Sequence, residues 1–227
     1  ILLPQQTFAQ LNSFSLMAVP IFILAGEIME HAGITKRIVR FASAMIGHFH
    51  AGLAQISILS SMLMAGISGS AAADASALGS MLIPAMQDEG YDPDFAVAVL
   101  AAGNTIGPII PPSIMMIIYG SMTGVSIGSM FIGGIVPGIL FGLGIMFLIN
   151  FMSRKRNFPR HPRAAGKERW QAFVGALGAL VMPVIIVGGI LTGYFTATES
   201  GVIAIVYALA YGLIMKTVKF KDIPGIL

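Results

Sequence analysis

The sequence predicts an all-α polytopic membrane protein, a helical bundle interrupted by a re-entrant hairpin and a discontinuous helix. Three observations lead there. Only 10% of the 227 residues are charged and 56% are hydrophobic, whereas soluble domains carry about 25% charged residues; mean hydropathy is +0.86. Apolar windows recur at 14–29, 49–67, 92–107, 113–151, 174–195 and 200–215, so spans fill the chain and leave no soluble domain among them. Within those windows, "GISGSAAADASALGS" at 66–80 and "GNTIGPIIPPS" at 103–113 bring polar, Gly-rich and Pro-rich stretches where helices should continue.

Charge placement constrains the topology. The 13 Lys and Arg fall in three clusters: Lys36, Arg37 and Arg40; Arg154 through Arg169; and Lys216, Lys219 and Lys221. The positive-inside rule puts all three in the cytoplasm, which requires an even number of crossings between successive clusters. "RKRNFPRHPRAAGKER" also resembles a nucleic-acid or targeting patch, but a cytoplasmic loop explains it, and no nucleic-acid partner is expected. Cysteine is absent, which removes disulfides and thiolate metal sites. The chain starts at Ile1 and ends in "FKDIPGIL", which reads like the opening of another element; the sequence is therefore read as a fragment.

Residues 1–48 are expected to hold a scaffold span, "FSLMAVPIFILAGEIMEHAG", ending at Gly33, then an interfacial amphipathic arm, "ITKRIVRFASAMIG". Residues 49–90 form the hairpin. Its returning arm, Ala71 to Ala85, supplies about 15 helical residues or about 22 Å, against a hydrocarbon core of about 30 Å. "QDEGYDPD", with Asp88, Glu89, Asp92 and Asp94, must then turn in water. Two full spans would also satisfy the charge parity, so the hairpin rests on length and on its polar tip. Ala71, Ala75 and Gly79, and the parallel row Ala72, Ser76 and Ser80, predict an arm packed against protein.

Residues 91–152 carry the discontinuous helix and a long following span. Pro108, Pro111 and Pro112 lack an N–H, which leaves the carbonyls of Asn104, Gly107 and Pro108 without helical partners. Such a loss is tolerated at membrane depth only where backbone is buried in protein or lines a wet cavity. Gly134, Gly138 and Gly142 give the next span a close-packing stripe. Residues 153–169 are the basic loop, and 170–227 hold an interfacial helix and further scaffold spans joined at the "TATES" turn.

Two broken backbones at mid-membrane are how secondary transporters build ion sites. Carbonyl and hydroxyl oxygens are hard ligands that suit Na⁺. The sequence places one Na⁺ between the tip, Ser68, Gly69 and Ser70, and the break, Asn104, Thr105, Gly107 and Pro108, with Ser68, Ser70, Asn104 and Gly107 as its principal ligands. The bland alternative is that glycines and prolines are kinks and the serines serve neighbouring backbone. Asp74, one turn past the tip, can take a proton, cap the arm or pair with a cation. Glu27 and Glu199, near span ends, read as surface or interhelical groups. An enzyme is the alternative from another class: "GISG" at 66–69 matches the G-x-S-G of intramembrane serine proteases, with Ser68 as nucleophile. That serine needs a base, and His31, His48, His50 and His161 all fall at span ends or in loops, so no enzyme is expected. A channel or structural subunit does not predict two adjacent broken helices.

"GISGSAAADASALGSMLIPAMQDEGYD", "AAGNTIGPIIPPSIMMIIYG", "GVSIGSMFIGGIVPG" and "GGILTGYFTATESGVIAIVYAL" together resemble the large, DctM-like membrane subunit of tripartite ATP-independent periplasmic (TRAP) transporters. The resemblance covers essentially the whole chain. It implies half of an inverted-repeat, elevator-type ion transporter fold in the bacterial inner membrane, importing carboxylates such as C4-dicarboxylates or sialic acids on a Na⁺ gradient, with no cofactor beyond that ion. It implies two partners, a small four-helix membrane subunit and a periplasmic substrate-binding protein. The substrate anion should sit near hairpin tips and helix N-termini, here Ser70, Ala71, Pro111, Pro112 and Ser113. Coupling to H⁺ through Asp74 is the alternative within the class. Where the family reads F-T-P-T-E-A, this chain has Phe195-Thr196-Ala197-Thr198-Glu199-Ser200, a looser turn. The family's second hairpin and second broken helix are expected after Leu227, so this chain alone should not transport.

Overall fold

The computed structural model describes residues 14–153, 158 and 161–218. Residues 1–13 of the first expected span, and Arg154 to Arg156, Arg160, Lys219 and Lys221 of the basic clusters, lie outside it. The described residues form α-helices joined by short connections, with no strand among them.

After a short 3-10 turn at Phe14–Met17, α1 (Ala18–His31) runs to Gly33, whose φ of 73° lets the chain swing into α2 (Ile34–Ile46). The bend between the two is 69°. Helix α2 buries Ile34, Ile38 and Ala42 and leaves Lys36 and Arg40 exposed, which is the amphipathic arm the sequence predicts. Helix α3 (Gly52–Ser68) and helix α4 (Ala71–Asp88) follow. Their break is narrower than expected, Gly69-Ser70 alone, and α4 runs on to Asp88, not Ala85. At 18 residues α4 is about 27 Å long, so length alone no longer separates a hairpin from two spans.

Packing locates the ends of this pair more firmly. His161 Nε2 lies 2.8 Å from Glu89 Oε1 at the close of α4, and a Cβ on Gly52, at the start of α3, would lie 3.4 Å from the His161 ring. The pair therefore returns to the end of the bundle it left. The α4–α5 turn is clamped there by stacked rings, Tyr91 on Phe158 at 4.2 Å and Phe95 on Phe158 at 5.4 Å.

Helix α5 (Pro93–Asn104) starts where Asp92 Oδ1 accepts from the N–H groups of Asp94 and Phe95, with Pro93 in its first turn. An irregular stretch, 105–113, leads to α6 (Ile114–Thr123) and then to α7 (Ile127–Ser153). Helix α8 (Gly166–Leu191) passes through Pro183 without a break, so the expected interfacial stretch and the span behind it are one helix. Helix α9 (Ala197–Ile214) opens with a capping box: Thr196 accepts from the Glu199 N–H, and Glu199 accepts from the Thr196 N–H at 2.8 Å. Capping holds the turn that the missing proline loosened, and it, not an interhelical bond, uses Glu199.

Helices α7, α8 and α9 are long and apolar enough to cross a membrane. Ile132, Val136, Leu140, Phe147 and Phe151 are exposed along α7, a patch that water would not tolerate. The chain is an integral membrane protein. Arg37 Nη1 donates to Tyr211 Oη at 2.9 Å and lies 3.3 Å from Met215 Sδ, beside Lys216, while Arg40, His161 and Arg163 line one cavity. The described members of the three basic clusters thus gather at one end of the bundle, as the even-crossing argument requires.

Candidate functional site

The hairpin tip and the helix break meet backbone to backbone. Gly69 has φ of +60°, and a Cβ there would lie 2.8 Å from the Pro112 carbonyl oxygen and 3.5 Å from the Ile114 nitrogen. A Cβ on Gly107 would lie 3.4 Å from both the Cα and the nitrogen of Ala71, and one on Gly66 would lie 3.6 Å from the Pro111 carbonyl. Glycine at these positions is what allows the approach. From the other sides, Gly26 of α1 faces the Ser68 Cα, and Gly134, Gly138 and Gly142 of α7 face Ile109, Ile110 and Met62. The predicted α7 stripe is in place. On α4, Gly79 packs on Leu100, but Ala72, Ser76 and Ser80 are exposed, so only one of the two predicted rows is covered.

Four helix ends converge at this junction. Helices α3 and α5 end there, and α4 and α6 begin there. Helix C-termini present partial negative charge to a cation and N-termini partial positive charge to an anion. Both N-termini are capped by serine: Ser70 Oγ accepts from the Ala73 N–H at 3.4 Å, and Ser113 Oγ accepts from the Met116 N–H at 3.3 Å. The positions expected near substrate, Ser70, Ala71, Pro111, Pro112 and Ser113, are therefore grouped at the two N-termini.

Asp74 is 2% exposed, and its Oδ1 accepts from Ser68 Oγ at 2.7 Å. It does not cap α4; Ser70 does. Ser68 Oγ in turn accepts from the Ser70 N–H at 3.1 Å. A short hydroxyl–carboxylate bond of this kind is charge-assisted when the acid is ionised.

At the break, two of the three carbonyls predicted to be orphaned have found partners. Asn104 O accepts from the Gly107 N–H at 3.1 Å, and Pro108 O accepts from Ser113 Oγ at 2.8 Å. The Gly107 carbonyl accepts no hydrogen bond among the described residues. The correction has a plain cause: a turn brings the Gly107 N–H back to Asn104, and a serine five residues on reaches the proline carbonyl. The Pro111-Pro112 peptide is cis. Asn104 is buried, its Oδ1 accepts from Ser61 Oγ at 3.2 Å, and its Nδ2 has no partner among the described residues. Thr105 is exposed, and its hydroxyl donates back to Ala102 O at 2.6 Å, so it serves its own helix turn.

Sequence reasoning missed Ser61, which orients Asn104, and Gln55, which is 1% exposed and donates through Nε2 to Met146 O at 2.9 Å. Both are polar residues inside an apolar helix, the signal that should have marked them. Ser68 has an aspartate, not a histidine, as its hydrogen-bond partner, and among the described residues no histidine bonds to it.

A polytopic bundle in which two broken backbones meet is an arrangement found among membrane permeases. The whole chain, residues 1–227, matches the family described as "Tripartite ATP-independent periplasmic transporter, DctM component", and the chain belongs to that family of large TRAP permeases. It is 41% identical over 93% of its length to the sialic acid TRAP transporter large permease protein SiaM of Vibrio cholerae serotype O1, covering 49% of that protein. It is 44% identical over 86% of its length to the C4-dicarboxylate TRAP transporter large permease protein DctM of the same organism, covering 43% of it. With the 2,3-diketo-L-gulonate TRAP transporter large permease protein YiaN of Escherichia coli it shares 44% identity over 87% of its length and 47% of the relative. The chain spans about half the length of the curated relatives it matches. All three are named as permeases, and a bacterial inner-membrane location fits.

Proposed function

We propose that this chain supplies one half of the ion and substrate path of a Na⁺-driven carboxylate importer, working with a small four-helix membrane subunit and a periplasmic binding protein. The observation that carries the reading is the junction itself: two capped helix N-termini and two helix C-termini meet where Gly69 seats on the Pro112 carbonyl. The oxygen set fits a hard monovalent cation. The Gly107 carbonyl is free among the described residues, and the Asn104 carbonyl and the Ser68 hydroxyl each keep a lone pair after the bonds they make. Ser70, Gly69 and Pro108 add further oxygens close by; Thr105, turned onto Ala102, would have to rotate to join them.

The anion would face the N-termini of α4 and α6, with its carboxylate on helix dipoles and serine-capped N–H groups. Residues 41–153 contain no Lys or Arg, so no cation from this stretch pairs with it. Relatives named for sialic acid, C4-dicarboxylate and diketogulonate support a small carboxylate as the substrate class. The tip stops beside the start of α6, whose 10 residues carry the chain about 15 Å further; this supports a hairpin that re-enters short of the far face. A second reading is favoured by one observation: Asp74 is buried and bonded to Ser68 at 2.7 Å, where a carboxyl could carry the coupled proton.

Uptake of a labelled carboxylate into proteoliposomes holding the full-length parent, its small subunit and its binding protein tests both. Under Na⁺ coupling, uptake needs an inward Na⁺ gradient and the binding protein, and Ser70→Ala raises the Na⁺ required. Uptake indifferent to Na⁺ that collapses in Asp74→Asn moves the coupling to protons.

A further inference from the structure

A second charged cavity lies well away from the junction, at the basic end of the bundle. It measures about 320 Å³ and is enclosed by Arg40 and Ser43 of α2, by His161 and Arg163 of the α7–α8 connection, and by Glu168 and Ala172 of α8. Its charges do not cancel internally. Among the described residues the ion pairs are His31–Glu27 and His161–Glu89, so His161 is already engaged by Glu89, while neither Arg40 nor Arg163 has a carboxylate partner. Glu168 is the one acid in the lining, and it occupies the first turn of α8, where the helix's own positive end offsets it. Two arginines without a carboxylate partner therefore line one small polar space.

The setting favours a membrane source for what fills it. The same two helices border an apolar groove of Phe41, Met45, Trp170 and Phe173, and Trp170, the single tryptophan of the chain, is 66% exposed, as aromatic residues are at membrane–water boundaries. Guanidinium forks match the geometry of phosphate oxygens, and basic pockets between helices at the cytoplasmic face suit anionic headgroups.

We propose that the Arg40–Arg163 cavity binds the phosphate group of an anion, as on an anionic phospholipid headgroup, and thereby ties the α2 arm to the α7–α8 connection and the start of α8. The chemistry is the same for a lipid phosphate or a free one, and the experiment separates the two.

The full-length parent carrier, purified in mild detergent, is titrated by native mass spectrometry with phosphatidylglycerol, with phosphatidylcholine and with inorganic phosphate. The wild type, Arg40→Gln, Arg163→Gln, the double variant and Lys167→Gln are compared. Both arginines are exposed, and circular dichroism checks that the variants fold. The expected result is phosphatidylglycerol bound in preference to phosphatidylcholine, weakened about 5-fold by each arginine substitution, the factor one cation contributes near an anionic surface, and unchanged in Lys167→Gln. Inorganic phosphate that binds with the same arginine dependence, without lipid preference, supports the cavity and makes soluble anion its source. Equal binding of both lipids with no response to phosphate, or an equal loss in Lys167→Gln, overturns the proposal, because the first removes the anion requirement and the second makes the effect one of diffuse charge.

Discussion

The junction of α3 to α6 and the helix pair α8–α9 solve the same problem in opposite ways. In α8 and α9 the helices run unbroken, and the polar groups at their facing ends serve their own helices: Thr192 donates to Gly188 O at 2.8 Å, and Thr196 and Glu199 cap α9. The junction instead interrupts two helices and satisfies them from neighbours, with Ser113 reaching Pro108 O and Gly107 reaching back to Asn104 O. Along their length, continuous helices leave no backbone group free for a ligand. Broken ones leave carbonyls and N–H groups that must be met by other groups, which is why the proposed site is at the junction.

That contrast is open to direct attack, and glycine gives the largest effect. Gly69→Ala should lose about 1–2 kcal/mol from its left-handed backbone and more from the clash with the Pro112 carbonyl 2.8 Å away, whereas Gly193→Ala, at φ of +75° with nothing within 4 Å, should lose the backbone part alone. Thermal unfolding of the full-length carrier in detergent would compare them; equal losses would mean that the tip does not seat on the break.

Next is Ser113→Ala, which strands a half-buried carbonyl and an N–H. The expected cost is about 1–3 kcal/mol, against a change within about 0.5 kcal/mol for Thr192→Ala, whose hydroxyl only adds a bond to a carbonyl on an exposed helix end. Stability measurements that rank these two the other way would undo the distinction between the regions. Thr196→Ala should fall between them, at about 1 kcal/mol for the lost cap, read in the same unfolding assay.

The smallest effect lies at the base that anchors the hairpin. Burial, and then the nearby Glu89 carboxylate, push the Tyr91 phenol from its ordinary value near 10 up to about 12. A raised pKa favours the protonated form on folding, so its contribution to stability is complete below about pH 10 and fades as pH rises through about 12. Phenolate absorbance should show a late-ionising component that shrinks by one tyrosine in Tyr91→Phe; no change in that component would mean that the Tyr91–Phe158 clamp is open.

Much of this was legible in the residues. The stretch 41–153, without Lys or Arg, and the three basic clusters predict the shared end at which the described basic residues gather, because topology in a bilayer follows local charge. Gly69 and the prolines at 108, 111 and 112 mark the breaks because their constraints are local. The length of α4, the continuity of α8 and the fate of the Asn104 and Pro108 carbonyls were not legible. The first two depend on packing from elsewhere in the chain; the two carbonyls are met within five residues, by the Gly107 N–H and the Ser113 hydroxyl, but through a turn whose course no local pattern states, and Ser61 and Ser113 look like any other serine until the backbone is placed.

By itself, then, the sequence determined that this is a membrane bundle and where its helices break, since hydropathy, charge and proline geometry act within a few residues. Only the tertiary structure decided that the two breaks touch, that Asp74 bonds Ser68 while Ser70 caps, that Gly107 keeps a free carbonyl among the described residues, and that Arg40 and Arg163, more than a hundred residues apart, share one cavity. Contacts between distant segments depend on how whole helices pack, and no local pattern encodes that.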